Sequence, residues 1–340
     1  MALTLALALA FVGLAAPEAN AAPSCTWSSP AESSAAPVPE RLGANVWGVR
    51  AAVGEPTPAN GGVVAQLLVV LDNERLWLIG SGPTPAFGAT LACVIERTTG
   101  RTVTDVIVTR AAPELSMGNP AFTSARLWAL PEVMVTMRER CGQCMAHSKA
   151  RLGVAGESLS DAAIRVPDSP IGRMNQRRGR LGPFDWLAVE RAPGERVLVL
   201  KLTAPAASRA TGPRSRHEPG PGSPLVIAQG LMWAGDVPDL RDTRSDALLA
   251  SLRALQAFAG PSRLWGEQGG VGQPAEIDRH ITYIESLRSA VRRHLAKGDV
   301  PGASGSEVDL PAFAALPGYA LRHPLNLQRV WRELEPEVFR

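Results

Sequence analysis

The stretch that decides the fold runs from Leu76 to Phe122 and reads LWLIGSGPTPAFGATLACVIERTTGRTVTDVIVTRAAPELSMGNPAF. It opens with an apolar run that ends in Gly80-Ser81-Gly82, as expected for a buried strand that leads into a tight turn. Apolar residues at helical spacing follow from Phe87 to Thr98, and Gly100 is a stop signal for that helix. An alternating, β-branched run from Thr102 to Thr109 predicts the next strand.

The segments on either side of this stretch carry the same kinds of pattern. Further strands are predicted at Val46–Val53, Val63–Leu71, Arg75–Ile79, Ala125–Leu130, Phe184–Val189, Arg196–Leu202, Leu225–Ala228, Leu231–Ala234 and Arg263–Trp265. Further helices are predicted at Pro131–Leu152, from Asp242 or Ser245 through Phe258, at Ala275–Lys297 and around Leu325–Leu334. Each half is therefore strand-rich and then continues as helix, strand and helix. Two such halves predict two sheets packed face to face, with helices outside both.

Short motifs in the quoted stretch resemble the metallo-β-lactamase superfamily. That family has a strand ending in a D-T-G-like turn, a helix, a strand, the motif T-H-x-H-x-D-H and a G-N-x-x-F tail. The matching segments here are Gly80-Ser81-Gly82, the run from Thr109 to Leu115, and Gly118-Asn119-Pro120-Ala121-Phe122. Further along, Trp233-Ala234-Gly235-Asp236 looks like the family's strand-ending G-D, and Leu264-Trp265-Gly266-Glu267-Gln268-Gly269 looks like its V-x-P-G-H-G turn.

The resemblance covers most of the chain, from about Val46 to Lys297. It implies an α/β protein with a four-layer αββα sandwich of two mixed β-sheets. Within the superfamily, the chain is most similar to the exported SoxH-like and quinoprotein-associated hydrolases.

The positions that hold zinc in that family are mostly substituted in this chain. By the resemblance, the family's ligands correspond to Arg110, Ala112, Glu114, Leu115, Pro205 (in the run 203–205), Asp236 and Gln268, of which only Asp236 is retained. Zinc is held by imidazole, thiolate and carboxylate groups. Alanine and leucine offer no donor, and an arginine would place a fixed positive charge in the cradle. No cofactor is therefore expected, and the chain is interpreted as a pseudo-metallohydrolase.

The polar residues that remain near the sheet edge allow two interpretations. Glu114, Asp236, Glu267 and Gln268 could converge there, bind a divalent cation weakly, or act as acid and base. Alternatively, Glu114 or Asp236 pairs with Arg110, so that an ion pair fills the metal position. The second interpretation is favoured. The histidines of the chain are interpreted as surface or packing residues and not as metal ligands. They are His147, His217, His280, His294 and His323.

Cys141 and Cys144 form a C-x-x-C motif midway along a predicted helix. A zinc ribbon would need a second such pair or a histidine pair. A local disulfide, two buried small side chains on one helical face, and a redox site remain as alternatives. The redox site would need an exposed sulfur with a lowered pKa.

The N-terminal segment carries a targeting pattern. Ala2 to Ala16 is almost wholly apolar, and Ala19-Asn20-Ala21 provides a small-x-small cleavage site. We expect residues 1–21 to be a signal peptide, 22–41 a flexible lead-in, 42–300 the folded domain and 301–340 a C-terminal tail with short helices. The protein is then periplasmic or secreted, and the mature chain should have no membrane span.

Composition and the site together define the function hypotheses. The net charge of +3 over 340 residues argues against a nucleic-acid partner. The first hypothesis is a non-catalytic binding or accessory protein, whose partner is a small anion held by Arg110 or a periplasmic protein. The alternative is a residual hydrolase with a reorganised site around Glu114, Asp236 and Gln268. That alternative requires the three side chains to reach one substrate in an open cleft.

Overall fold

The computed structural model of this protein describes residues 36–160, 164–202, 223–299 and 308–338. These residues form two β-sheets, of seven and six strands. The first sheet contains β1 (Pro39–Gly43), β2 (Val46–Val49), β3 (Leu67–Asp72), β4 (Arg75–Ile79), β5 (Asp105–Val108), β6 (Arg126–Ala129) and β7 (Ser169–Pro170). The second contains β8 (Arg178–Leu181), β9 (Phe184–Ala192), β10 (Glu195–Leu202), β11 (Leu225–Ile227), β12 (Arg263–Trp265) and β13 (Val271–Gly272).

Six α-helices accompany the sheets in the described part of the chain. They are α1 (Pro85–Thr99), α2 (Pro113–Ser116), α3 (Pro131–Leu152), α4 (Ser245–Ala259), α5 (Ala275–Leu295) and α6 (Tyr319–Val338). The ends of α1 follow from its sequence. The Thr84 side chain accepts a hydrogen bond from the backbone N–H of Phe87, and Gly100 closes the helix in a left-handed conformation with φ 70°.

Both sheets are mixed, as the resemblance implied. The first runs in the order β1 to β7, antiparallel as far as β4 and parallel from β4 to β7. In the second, β8 to β11 are antiparallel, β11 and β12 are parallel, and β13 returns antiparallel. The parallel pair β4 and β5 is joined through α1, as a crossover between parallel strands requires.

Alternation along the strands decides which side chains lie between the sheets. In β3, Leu68 and Val70 belong to the core between the two sheets, whereas Leu67 and Val69 belong to the core under α1. Successive side chains of a strand point to opposite faces, so each sheet is buried on both sides. The strand β10 alternates in the same way, with Leu198 and Leu200 facing the first sheet and Val197 and Val199 facing the helices.

The helices complete a four-layer αββα sandwich. The outer face of the first sheet is covered by α1 through Leu91 and Ile95. The outer face of the second sheet is covered by α4, α5 and α6. The prediction of two face-to-face sheets with helices outside them is confirmed. The helix α3 differs, since its apolar side chains, Met137 among them, join the core between the sheets.

The C-terminal segment is more integrated than a tail with short helices. Its described residues, 308–338, contain a 3-10 turn at Pro311–Phe313 and the 20-residue helix α6, whose Leu327 and Trp331 lie in the same core as α4 and α5. Pro324 and Pro336 lie inside this helix. Proline normally indicates a helix boundary, which explains why the sequence pattern predicted a shorter helix around Leu325–Leu334.

Two local predictions were wrong, and two short strands, β7 and β8, were not predicted. The strand β1 lies partly within the segment 22–41 that was expected to be flexible. The run Leu231–Ala234 is not a strand, because the chain turns at Gly230 (φ 76°) and only Trp233 makes an isolated bridge, to Gln268.

Several expectations fall outside the described residues. These are the signal peptide at 1–21, most of the lead-in, and the run 203–205 that contains Pro205. Among the residues that are described, no helix is both long enough and apolar enough to cross a membrane.

Two glycines give a matched test of this packing. A Cβ added at Gly118 would overlap the carbonyl oxygen of Ser81, whereas one added at Gly142 in α3 would meet nothing within 4 Å. We expect Gly118→Ala to lower the free energy of unfolding by about 1–3 kcal/mol. Gly142→Ala should raise it by about 0.5–1 kcal/mol, because alanine is the better helix former. Urea unfolding measures both, and equal effects from the two variants would contradict the packing described.

Candidate functional site

The turn after β4 builds the base of the site. The Ser81 hydroxyl donates hydrogen bonds to Asn119 Oδ1 at 2.8 Å and to the Leu115 carbonyl at 3.3 Å. The Gly118 N–H donates to the Gly82 carbonyl at 2.9 Å. The two framework motifs recognised in the sequence are thus joined to each other, and they fix α2 beside the ends of β4 and β5.

Arg110 follows β5 and lies between two carboxylates. Its Nη2 donates to Glu114 Oε1 at 2.5 Å and to Glu267 Oε1 at 2.6 Å. Glu114 lies on α2 and Glu267 follows β12, so the triad links the ends of both sheets. The other oxygen of Glu267 accepts the Gly230 N–H at 2.6 Å. Only 12% of the Arg110 side chain is exposed. Of the two partners proposed for Arg110, the structure pairs it with Glu114.

The positive charges of this cluster are neutralised within the protein. Burial alone would lower the pKa of Arg110, but the carboxylates of Glu267 and Glu114 outweigh that effect and raise it. A second buried guanidinium, Arg191, bonds to Glu195 at 3.1 Å. Burial and the nearby Arg110 lower the pKa of Arg191. Two guanidiniums therefore face three carboxylates, which leaves Arg110 poorly suited to bind a further anion.

Asp236, which the resemblance matches to a retained ligand, is held by a different arginine. Its Oδ2 accepts from Arg322 Nη1 at 2.5 Å, and its Oδ1 accepts the N–H groups of Val237 at 2.7 Å and Gly318 at 2.8 Å. Arg322 lies on α6 and is 4% exposed. Sequence reasoning missed this residue, because it lies in the segment predicted to be a tail.

Gln268 completes the second cluster. Its Oε1 accepts from Arg322 Nη2 at 2.6 Å, and its Nε2 donates to the carbonyls of Val64 at 2.9 Å and Gly54 at 3.1 Å. Both ends of the amide are therefore satisfied by the protein itself. Asp236 and Gln268 share one guanidinium, much as two ligands would share a cation.

Two other family positions are filled by apolar packing. Ala112 is 3% exposed and Leu115 is fully buried, and both pack in the core with Phe122. In the described residues, no group of three or more His, Cys, Asp or Glu could hold a metal ion. The residues at this cradle therefore do not fit zinc, which needs imidazole, thiolate or carboxylate donors grouped around it.

A groove of about 1040 Å³ opens beside the first cluster. Its walls include α3, the turn between β9 and β10, and the segment that contains Arg241 and Asp242, while Arg110 and Glu114 also line it. Asp236 and Gln268 are not among the lining residues. The residual-hydrolase hypothesis required these two side chains and Glu114 to reach one substrate, and this arrangement does not bring them together.

Cys141 and Cys144 line the same groove, and both are free thiols. The disulfide considered for this pair is not formed. Residues three apart on a helix have Cβ atoms about 5–6 Å apart, whereas a disulfide needs about 3.8 Å. Burial raises the pKa of Cys141 to about 11 and also raises that of Cys144. The lowered pKa that a redox site requires is absent. Cys93, in contrast, is disulfide-bonded.

His280 supports the segment that leads to Asp236. It is fully enclosed, stacks on Trp233 and accepts the Trp233 N–H through Nε2 at 3.2 Å. Burial, followed by the charge of Arg279, lowers its pKa from the ordinary 6.5 to about 3. The neutral ring is therefore part of the folded state, and its role is structural.

The buried triad predicts a large effect for Arg110→Met. The substitution leaves Glu114 and Glu267 without their counter-charge, so we expect the free energy of unfolding to fall by about 3–5 kcal/mol. As a control, Arg180→Met changes an exposed arginine whose nearest carboxylate, on Asp185, is 3.6 Å away, and it should cost less than about 0.5 kcal/mol. Chemical unfolding at neutral pH compares the two, and similar losses would refute the role of the triad.

His280 predicts a pH dependence of stability. Between its ordinary pKa of 6.5 and its folded pKa of about 3, the unfolded chain binds a proton that the folded chain does not. Stability contributed by the neutral ring is therefore lost as the pH falls through this window. We expect His280→Gln, which cannot titrate, to reduce the slope of unfolding free energy against pH between pH 6 and pH 4. The largest possible reduction corresponds to the uptake of one proton on unfolding. Parallel slopes for the variant and the parent would exclude this contribution.

Comparison with known proteins shows a similar fold among solved structures but no similar sequence. No protein-family model matches the sequence, and no curated protein matches it. Among solved structures, a metallo-β-lactamase from Hirschia baltica is similar with a TM-score of 0.53 and 12% identity, covering 73% of this chain and 97% of that one. A metallo-β-lactamase from Erythrobacter litoralis gives a TM-score of 0.52 at 14% identity, covering 73% and 95%.

The metallo-β-lactamase FIM-1 from Pseudomonas aeruginosa, in its mono-zinc form, gives a TM-score of 0.53 at 10% identity and covers 73% and 95% of the two chains. At such low identity the likeness establishes the architecture alone. It agrees with the two mixed sheets and the covering helices described above. The chain has the metallo-β-lactamase fold.

Proposed function

We propose that this protein is a degenerate member of the metallo-β-lactamase superfamily that acts after export as a non-catalytic binding or accessory protein. The observation that carries the proposal is the replacement of metal-ligand positions by two guanidinium clusters. Arg110 is held by Glu114 and Glu267, and Arg322 is held by Asp236 and Gln268.

The chemistry of guanidinium explains why such clusters favour a non-catalytic role. A metal ion of a hydrolase lowers the pKa of a bound water and so supplies the nucleophile. Arginine donates hydrogen bonds, accepts none and stays charged, so it has no open position for such a water. The one relative named above in a mono-zinc form retains a metal, and we expect this chain to differ from it.

The groove beside α3 is the surface that we assign to binding. Its volume of about 1040 Å³ lies at the upper end of the range for small-molecule pockets, about 300–1,000 Å³. Its lining includes two exposed apolar side chains, Val135 and Met174. Since Arg110 is already neutralised, these features favour a segment of a partner protein over a small anion. Export rests on the N-terminal targeting pattern alone.

The first test is the metal content of the purified protein after loading with zinc or manganese. We expect well under one equivalent of either metal by elemental analysis, and the same value for Asp236→Ala. Hydrolysis of a chromogenic β-lactam in the presence of zinc should stay at the buffer rate, because no ligand set holds the ion.

Near one or two equivalents of metal, lost in Asp236→Ala, would overturn the proposal. The Arg110 and Arg322 clusters would then have to rearrange around a metal, and a screen for hydrolase activity would follow. Arg253→Ala, on the exposed surface of α4, is a control for nonspecific effects of substitution.

A further inference from the structure

The thiol pair on α3 lies in the wall of the groove to which binding is assigned above, but neither thiol was used for that assignment. Cys141 and Cys144 are both reduced, and both face the groove. Cys144 is half-buried and Cys141 is 5% exposed, and both side chains border the groove, from which an ion can approach.

The spacing of the pair suits a bridging metal ion better than a disulfide. Their Cβ atoms, three residues apart on a helix, are about 5–6 Å apart. An S–S bond of about 2.0 Å cannot span that gap without distortion of the helix. Two metal–sulfur bonds in series, each about 2.3 Å in zinc thiolates, span it readily.

The surroundings select the kind of ion. The two thiols have no third partner, since no group of three or more His, Cys, Asp or Glu in the described segments could hold a metal. A tetrahedral zinc site is therefore incomplete here. The thioethers of Met137 and Met145 lie four residues to either side of Cys141 on the same buried face of α3. Thiolate and thioether ligands, all soft, select Cu(I).

We propose that Cys141 and Cys144 form a two-coordinate Cu(I) site at the wall of the groove. Binding replaces two S–H bonds by two Cu–S bonds and releases two protons, and the oxidation state of copper and sulfur does not change. The bound unit carries one negative charge. Burial and the carboxylate of Glu114 disfavour the anionic form of Cys144, whereas the charge of Arg140 favours it. The raised pKa of both thiols is consistent with their staying protonated until copper displaces the protons.

The test is an anaerobic competition for Cu(I) between the full-length protein and the chromophoric chelator bicinchoninate. A count of free thiols first establishes that two are reduced per chain. We expect the protein to withdraw one equivalent of Cu(I) and to release two protons. Cys144→Ser and Cys141→Ser should each abolish the withdrawal. Because Cys141 is buried and its substitution could unfold the chain, the result with Cys144→Ser is decisive, provided that its unfolding midpoint matches that of the parent.

Controls separate this site from its neighbours. His147 lines the same groove three residues after Cys144, and His147→Ala should retain the full equivalent. Retention of Cu(I) by Cys144→Ser, loss in His147→Ala, or equally tight binding of zinc would each overturn the two-thiolate site. These outcomes are independent of the zinc-loading test at Asp236, so either proposal can fail alone.

Discussion

A buried positive charge held between carboxylates from distant segments is the constraint on which this architecture depends. Arg110 comes from the end of β5 in one sheet, Glu267 from the end of β12 in the other, and Glu114 from the short helix α2. Loss of Arg110 would leave both carboxylates without their counter-charge, and an unpaired buried charge is costly in the protein interior. The sheet ends are thereby held in one arrangement.

Much of the fold could be predicted from the sequence, because its signals are local. The bounds of α3 are those that the pattern predicted, and α1 and the hairpin of β3 and β4 follow closely from their caps and turn residues. The strand β1 and the full length of α6 were missed. Their stability comes from tertiary contacts, such as the packing of Trp331 against α4 and α5. The prolines of α6 are themselves misleading, because proline locally predicts a helix boundary and not a continuous helix.

Several residues of the candidate site could be predicted from the sequence, but their ion-pair and hydrogen-bond partners could not. Motif spacing predicted Arg110, Glu114, Asp236 and Gln268 as residues of one cradle, and in the structure they belong to two separate guanidinium clusters. The partner of Asp236 was missed, because Arg322 lies 86 residues further along the chain. No periodicity or spacing within one sequence connects two such positions.

In the two clusters, arginines lie where the resemblance would place a metal ion, and the two kinds of cation differ in what they can bind. A guanidinium binds carboxylate and amide oxygens in a plane, through fixed donors, so it can join Asp236 to Gln268 across two segments. It cannot take a water into a vacant position, and it cannot be deprotonated. Under the proposed function, a cradle held by arginine would preserve the mechanical role of the ion and give up its chemical role. Any binding specificity would then depend on the side chains that line the neighbouring groove, which include the thiols of α3.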